Sequence, residues 1–410
     1  MRILIVTDRF SPEISAASTR LHAHARAWAA EGHDVTVLTC APNFPRGETF
    51  EGYRNQWVQK ERMDNFDVVR VWTYMAPNTG VFRRSVDYVS FVVSSVLNSG
   101  AVGKVDVVLA SSPPITVAFA GAILARRLGV PWVFEVRDLW PASIRAVGIS
   151  KSPLLSILER LELWLYGDAA ATIVLTEPFR GDLLGRGVAS QKVRVVTNGI
   201  DPGIWTSKLS RAEARARFDL PSGAFLVGFV GTVGLAQGAD VFVRAAERLR
   251  NEADIHFLCL GEGAGRPQVE AIAAAAGLTN ITFRDFVPFD LVPDLLRALD
   301  VGAILLKDDP VFDTVIPSKL FELMAAAVPI AASAGKEVQR LLCESEAGVC
   351  VAPEDDAALA SALLALKTDP AARSRAAARG SAFVKGNFNR QELAMRALQV
   401  LRGVVEGGPK

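Results

Sequence analysis

Residues 311–330, VFDTVIPSKLFELMAAAVPI, hold the most chemistry-bearing arrangement in this chain of 410 residues. Pro317, Ser318, Lys319 and Glu322 fall at the entrance and first turn of an expected helix, directly before the apolar run LMAAAVPI. A helix start presents backbone N–H groups without intrahelical partners and a partial positive charge, which suit an anion such as a diphosphate. Lys319 adds a full charge there. Glu322, one turn on, is a carboxylate able to accept hydrogen bonds from sugar hydroxyls. Phosphate-binding groups beside a hydroxyl acceptor make a site for a nucleotide diphosphate. An ordinary capped helix, with Ser318 as N-cap and Glu322 in its first turn, accounts for the same residues.

Three loops after expected strands add candidates. In DRFSPEISAASTR (8–20), the small residues Ser15, Ala16, Ala17 and Ser18 let backbone approach a ligand at a helix start, and Ser15 or Ser18 serves equally as an N-cap. In EVRDLWPASIRAVG (135–148), Glu135, Arg137 and Asp138 surround a strand end beside Trp140 and Pro141. Charges there need pairing, so Arg137 is either a salt-bridge partner or a phosphate or carboxylate ligand at a cleft. In GTVGLAQG (231–238), Gly231, Gly234 and Gly238 give a compact loop before a helix, without the GxGxxG spacing or a P-loop GKS/GKT. GEGAG (261–265) and Val287–Pro288 end two further strands. A GxSxG elbow is absent, and no Ser–His–Asp order is apparent.

Apolar residues make up 50% of the chain, which allows large cores, and the length predicts two or three domains. Lys and Arg number 45 against 44 Asp and Glu, a net charge of +1 that argues against a general nucleic-acid binder. Cys40, Cys259, Cys343 and Cys350 form no CxxC pair and read as buried thiols of a reducing compartment. His22 and His24 would point to different helix faces, and no metal site is expected. MRILIVTDRF reads as a short buried strand rather than a signal peptide, and residues 86–102 are too short and too polar to span a bilayer. These features predict a cytoplasmic protein. The stretch 81–102, with Phe82, Arg83, Arg84, Tyr88 and Phe91, suits a peripheral membrane contact, although packing into the core is the preferred reading.

These residues must be carried by a repeating framework. ILIV, DVTVLT, FDVVRVW, VDVVLAS, WVFEV, ATIVLT and KVRVVTN read as buried strands between helices at 16–31, 84–102, 116–128, 154–166 and 177–186. FLVGFVG, IHFLCLG, ITFRDFV, VGAILL, IAAS and AGVCVA restart the pattern, with helices at 239–251, 265–276, 290–298, 319–327, 337–344 and 355–367. Such alternation predicts an α/β chain with two doubly wound parallel sheets. The seam falls in VVTNGIDPGIW (195–205), marked by Asn198–Gly199 and Pro202–Gly203. The expected domains are 1–198, with a returning helix at about 388–406, and 199–387. Strand ends facing each other across a cleft would form the ligand site. Residues 373–403 read as strongly helical, and the final EGGPK as frayed.

The order FSPEISAASTR, EVRDLWP, VVTNGID, GTVGLAQG, LGEG and IPSKLFELMAAAVPI resembles the family-4 glycosyltransferases of the GT-B architecture, and within them the bacterial fucosamine transferases of O-antigen and capsule assembly. The resemblance runs from Met1 to about Leu401. It implies two Rossmann-like domains, a final helix crossing back to the first, and a retaining, metal-independent transfer from an NDP-sugar, most simply a UDP-sugar carrying an N-acetylated hexosamine or deoxyhexosamine. The acceptor would be a glycan, a lipid-linked molecule or a small molecule.

By this resemblance Glu322 binds the ribose hydroxyls, Gly231, Thr232 and Gln237 lie at the diphosphate, and Val287 contacts the base by its backbone. Pro317, Ser318 and Leu320 complete the donor site, Ser15, Ala16 and Ala17 form the acceptor-side loop, and Arg137, Asp138 and Lys319 are catalytic. The sequence departs from the family pattern in four places. Thr314, next to Asp313, replaces the first glutamate of a pair; Ser15, Ala16 and Ala17 replace a glycine pair; Gln237 replaces a lysine; and Ala327 stands where glycine is frequent. The charge missing at Gln237 would then come from Lys319. Two other classes share a two-lobed design: a UDP-sugar 2-epimerase, needing acids placed to move a sugar proton, and a non-enzymatic sugar-binding protein. The loop order favours transfer.

Overall fold

The computed structural model describes residues 1–77, 81–140, 142–143 and 153–407. Pro141 and residues 144–148 of the expected loop, and the tail from 408, lie outside the described residues. The chain divides into unit 1, Met1–Asn198 with Arg390–Lys410, and unit 2, Gly199–Asn389.

Unit 1 is built on an eight-stranded sheet. Its strands are β1 (Arg2–Val6), β2 (Asp34–Cys40), β3 (Val58–Met63), β4 (Phe66–Val71), β5 (Val107–Ser112), β6 (Trp132–Val136), β7 (Ala171–Val174) and β8 (Val193–Val195). They are arranged β3-β4-β2-β1-β5-β6-β7-β8. All ladders are parallel except β3 with β4. Runs such as ILIV (3–6) and VVLASS suit strands covered on both faces, and their residues are buried. The edge strand β3, VQKERM, was missed by the sequence reading: its alternating charges mark a half-exposed edge, not a buried run. Helices α1 (Ala16–Ala30), α2 (Val81–Leu97), α3 (Ile115–Leu128), α4 (Pro153–Asp168) and α5 (Glu177–Gly185) connect the strands.

Unit 2 has six parallel strands, β9 (Phe225–Val230), β10 (Ile255–Leu260), β11 (Ile281–Arg284), β12 (Val301–Leu305), β13 (Ile330–Ser333) and β14 (Gly348–Val351), in the order β11-β10-β9-β12-β13-β14. The helices are α6 (Arg211–Arg217), α7 (Asp240–Arg248), α8 (Arg266–Ala275), α9 (Val292–Ala298), α10 (Ser318–Ala325), α11 (Lys336–Ser345), α12 (Asp356–Thr368) and α13 (Pro370–Asn387). The strand order reverses between β9 and β12, which places a ligand crevice at their carboxyl ends.

The helical segment expected over 373–403 consists of two helices, α13 and α14 (Arg390–Glu406), with Phe388–Asn389 between them, and α14 lies where the returning helix was expected. α14 belongs to unit 1. Its Leu393, Ala397, Leu398 and Leu401 join the same core as Trp28 of α1, whose indole Nε1 donates to the Ala394 carbonyl at 2.8 Å.

Helix α2 packs into the core, the preferred reading, by one face only. Its inward face buries Phe91, Ser94 and Ser95, but Phe82, Val86, Val89, Val93 and Leu97 form an outward stripe at helical spacing. Phe82 is 80% exposed and Leu97 60%. Trp57 and Trp72 join Val86, Val89 and Val93 around an apolar groove of about 430 Å³.

Candidate functional site

The switch point of unit 2 is built from three segments. The loop after β9 runs Gly231-Thr232-Val233-Gly234, the loop after β10 runs Gly261 to Gly265, and α10 follows the segment after β12. The first two loops lock together by backbone. Val233 N–H donates to Glu262 O and Gly265 N–H to Val233 O, both at 2.9 Å. A Cβ on Gly261 would lie 1.9 Å from Gly231 O, and one on Gly263 would lie 2.3 Å from Val233 O. These glycines therefore serve loop-to-loop contact. Gly231 has φ +122, a conformation that side-chain-bearing residues rarely adopt.

Lys319 enters beside that loop. A Cβ on Gly231 would touch Lys319 Cε and Nζ at 3.5 Å, and Nζ sits 3.9 Å from the centroid of the Phe229 ring. The side chain as a whole is half-buried, yet Nζ is shut off from water and has no hydrogen-bond partner among the described residues. Burial pushes its pKa down to about 8, against the opposing pull of Glu322 and Cys259. A buried ammonium with three unused donors is costly unless an anion completes it.

The helix start is open for the same purpose. Ser318 is not the N-cap: α10 begins at Ser318, the cap residue is Pro317, and no side chain caps the turn. Leu320 is fully buried and its N–H donates to Pro317 O at 3.0 Å, so its role is packing and its side chain cannot reach a ligand. Glu322 is half-buried in the next turn of α10. Thr232 is exposed, and Gln237 ends a short 3-10 turn with its N–H donating to Gly234 O at 3.4 Å. Val287 lies half-buried beyond the end of β11. Lys307, which the sequence reading did not single out, follows β12 and packs its Cγ against Gly238, where a Cβ would meet it at 3.3 Å.

Asp313 is committed elsewhere. Its Oδ1 accepts from Lys336 N–H at 3.1 Å at the start of α11, and its Oδ2 pairs with Lys336 Nζ at 2.9 Å. Thr314 Oγ1 donates to Val311 O at 2.5 Å.

In unit 1, Ser15 is the N-cap of α1, accepting from Ser18 N–H at 3.1 Å, and Ala16 and Ala17 are helical. Arg137 and Asp138 follow β6, but the expected neighbour Glu135 is engaged by another cation. Arg20 Nε donates to Glu135 Oε1 at 3.0 Å, and Ser111 Oγ donates to Oε2 at 2.7 Å. Burial alone would raise the Glu135 carboxyl; Arg20, His24 and Arg137 together hold it well below the usual carboxylate range. Arg20 also donates to Thr197 O and Val196 O, tying α1 to the segment after β8. Arg137 Nε is buried without a hydrogen-bond partner among the described residues, and burial lowers its pKa. Burial raises that of Asp138.

The sequence shows no Ser–His–Asp order, but folding brings one together. Ser11 Oγ lies 2.8 Å from His22 Nδ1, and His22 Nε2 lies 3.0 Å from Asp64 Oδ2. His22 packs on Phe10 and Phe66, and Pro12 removes the N–H that follows the serine. The trio is a structural tie, without the adjacent donor that acyl transfer needs.

The sequence model described as Glycosyl transferase 4-like domain matches residues 15–199, and that described as Glycosyl transferases group 1 matches residues 224–369. D-inositol 3-phosphate glycosyltransferase of Xylanimonas cellulosilytica is 30% identical over 68% of this chain and 68% of its own length. The chain belongs to the family-4 and group 1 glycosyltransferases.

WcaI of Escherichia coli (strain K12), which is named as a colanic acid biosynthesis glycosyl transferase, is 29% identical over 92% of this chain and 95% of its own. Among solved structures, sucrose-phosphate synthase from Thermosynechococcus elongatus superposes with a TM-score of 0.80 at 19% identity, covering 100% of both chains. Anabaena HepE in complex with UDP-glucose gives 0.74 at 16% identity, covering 98% of this chain and 100% of that one. These likenesses establish the GT-B fold of the glycosyltransferase chain, with its two Rossmann-like units and C-terminal helix. Among the described residues no group of three His, Cys, Asp or Glu side chains could hold a metal ion, and no helix is long and apolar enough to cross a membrane.

Proposed function

We propose that this glycosyltransferase moves a sugar, with retention of configuration and without a metal ion, from a UDP-sugar held by unit 2 to an acceptor held by unit 1. The observation that carries the reading is Lys319 Nζ, enclosed and without a hydrogen-bond partner beside Gly231 at an uncapped helix start. As the nucleoside diphosphate leaves, negative charge grows on its phosphate oxygen, and Lys319 with the N–H groups at the start of α10 would stabilise it. Glu322 would accept from the ribose hydroxyls, with the backbone near Val287 at the base. Arg137 and Asp138 are the catalytic candidates of unit 1. The UDP assignment is supported by Anabaena HepE, whose structure was solved with UDP-glucose. An N-acetylated hexosamine or deoxyhexosamine, and the fucosamine transferase branch, remain the reading of motif order.

UDP binding tests this. At a hundred times its dissociation constant a ligand adds about 2.7 kcal/mol of stability, so UDP should raise the melting temperature of the protein where GDP and ADP do not. The pH dependence has a definite sign. The folded Lys319 pKa, about 8, lies below its unfolded value of 10.5, so burying the charge destabilises the free protein below about pH 8. That penalty fades as pH rises through this interval. A bound diphosphate raises the pKa again. UDP affinity should therefore fall by up to about tenfold per pH unit above 8, with proton uptake seen by calorimetry in buffers of different ionisation enthalpy. An affinity flat from pH 7 to 10 would remove Lys319 from the site.

The exposed stripe of α2 supports a peripheral contact with an anionic bilayer on the cytoplasmic side. Apolar residues at helical spacing, the flanking Trp57 and Trp72, and the exposed Arg83 suit an interface. Full-length protein should float with vesicles containing phosphatidylglycerol, and Phe82→Ser with Val89→Ser should abolish flotation; equal recovery of both proteins would refute the contact.

A further inference from the structure

Unit 1 has its own switch point. β1 pairs with β2 on one side and β5 on the other, so its strand order also reverses there. A small cavity lies at these strand ends, lined by residues that include Asp8, Arg9 and Glu13 from the loop after β1, Thr73 after β4, and Asp87 and Tyr88 from α2. Its water-accessible volume is about 10 Å³, roughly the space of one water molecule.

Three carboxylates share this space with too little positive charge. Arg9 Nε is 3.9 Å from Asp8 Oδ2, and its guanidinium stacks 3.7 Å from the Phe44 ring centroid. Arg70 is held by Glu61, Cys40 O and Ser11 O, and Arg84 donates to Tyr88 Oη. Glu13 is 3% exposed: its Oε1 accepts from Asn43 and Phe44 N–H at 2.7 and 2.9 Å, while its Oε2 has no hydrogen-bond partner among the described residues. Thr73 Oγ1, in a residue 1% exposed, likewise has no partner among the described residues. Burial raises Asp8 to about 6 and Asp87 to about 7, with Arg9 and Arg137 too weak to reverse it at Asp8 and Arg9 and Arg84 too weak at Asp87. The cavity lacks a small group that is positively charged and only donates.

We propose that this cavity binds a primary ammonium group of the acceptor, which makes the acceptor an amino sugar or an amino cyclitol. An ammonium is the size of a water molecule and has three donors and no acceptor, one for each carboxylate. A hydroxyl would leave the charge uncompensated, and an N-acetyl group would neither fit nor neutralise it. Asp87 stands on the inner side of the helix whose outer side carries the apolar stripe, so one element would serve both contacts.

The inference rests on the transferase reading, and the test separates the two. Glucosamine, glucose and N-acetylglucosamine are titrated into the full chain at neutral pH and followed by ligand-observed NMR, with UDP titrated separately by calorimetry. Glucosamine should bind at least tenfold more tightly than the other two sugars. Asp87→Asn and Glu13→Gln should each weaken it at least tenfold, with UDP affinity within twofold of wild type and the near-UV circular dichroism unchanged. Equal binding of glucosamine and glucose, no binding of glucosamine, or glucosamine binding that survives both substitutions would overturn the ammonium site. Failure of UDP to bind while glucosamine selectivity stands would instead refute the transferase reading.

Discussion

Lys319→Ala should reduce sugar transfer by about 10² to 10³, the loss that follows removal of one donor aimed at a developing oxyanion. Its effect on stability should have the opposite sign. The wild-type ammonium is enclosed beside Phe229 without a hydrogen-bond partner, so removing it relieves a desolvation cost. The melting temperature of the unliganded variant should hold or rise while single-turnover transfer from the nucleotide sugar collapses. Loss of activity with a lower melting temperature would mark Lys319 as a folding residue, and near-normal turnover would remove it from the mechanism. Glu322→Ala should cost at least about tenfold, mainly in donor KM, because it removes binding that the ground state and transition state share.

Glu135→Ala should be the most destabilising single change in unit 1. The carboxylate and Arg20 are both buried, with side chains 0% and 4% exposed. Breaking such a pair from one side leaves an uncompensated charge and costs about 3–5 kcal/mol. Ser111 Oγ loses its acceptor as well. Hydrogen exchange of β5 and β6 should report the loss, while exchange in β9 and β12 of unit 2 stays as in wild type. Replacing both members, Arg20→Met with Glu135→Leu, should recover much of the stability, since it removes the charge rather than orphaning it. Comparable exchange in wild type and Glu135→Ala would contradict the role of the pair.

The strand framework was legible because parallel strands buried on both faces leave unbroken apolar runs, as in ILIV (3–6) and FLVGFV. The elements it hid obey other constraints. VQKERM is an edge strand whose Lys60 and Arg62 face water while Glu61 pairs with Arg70, and RAEARAR is a seven-residue helix held by a capping box rather than by an apolar stripe. At the site, Lys319 and the glycine loop could be singled out because they lie at strand-to-helix junctions. What could not be read was enclosure. Nothing in IPSKLFE says that the ammonium folds under Gly231 onto Phe229, about ninety residues upstream. Arg20 and Glu135 are 115 residues apart, and only the fold brings Arg20 of α1 to Glu135 in place of the adjacent Arg137. The same separation hid the carboxylate cavity, whose Asp8 and Glu13 follow β1 while Asp87 lies on α2.

The place of α14 bears on synthesis. Unit 2 is one uninterrupted stretch, whereas unit 1 has Leu393, Ala397, Leu398 and Leu401 in its interior and the Trp28 indole bonded to Ala394. A chain that has emerged only as far as Asn389 holds all of unit 2 while unit 1 still has a gap over α1. Unit 1 must then wait, with apolar surface bare, until the segment that follows unit 2 reaches back to seal it. A chain cut short at Asn389 would thus carry all of unit 2 beside an unsealed unit 1, a natural target for chaperones.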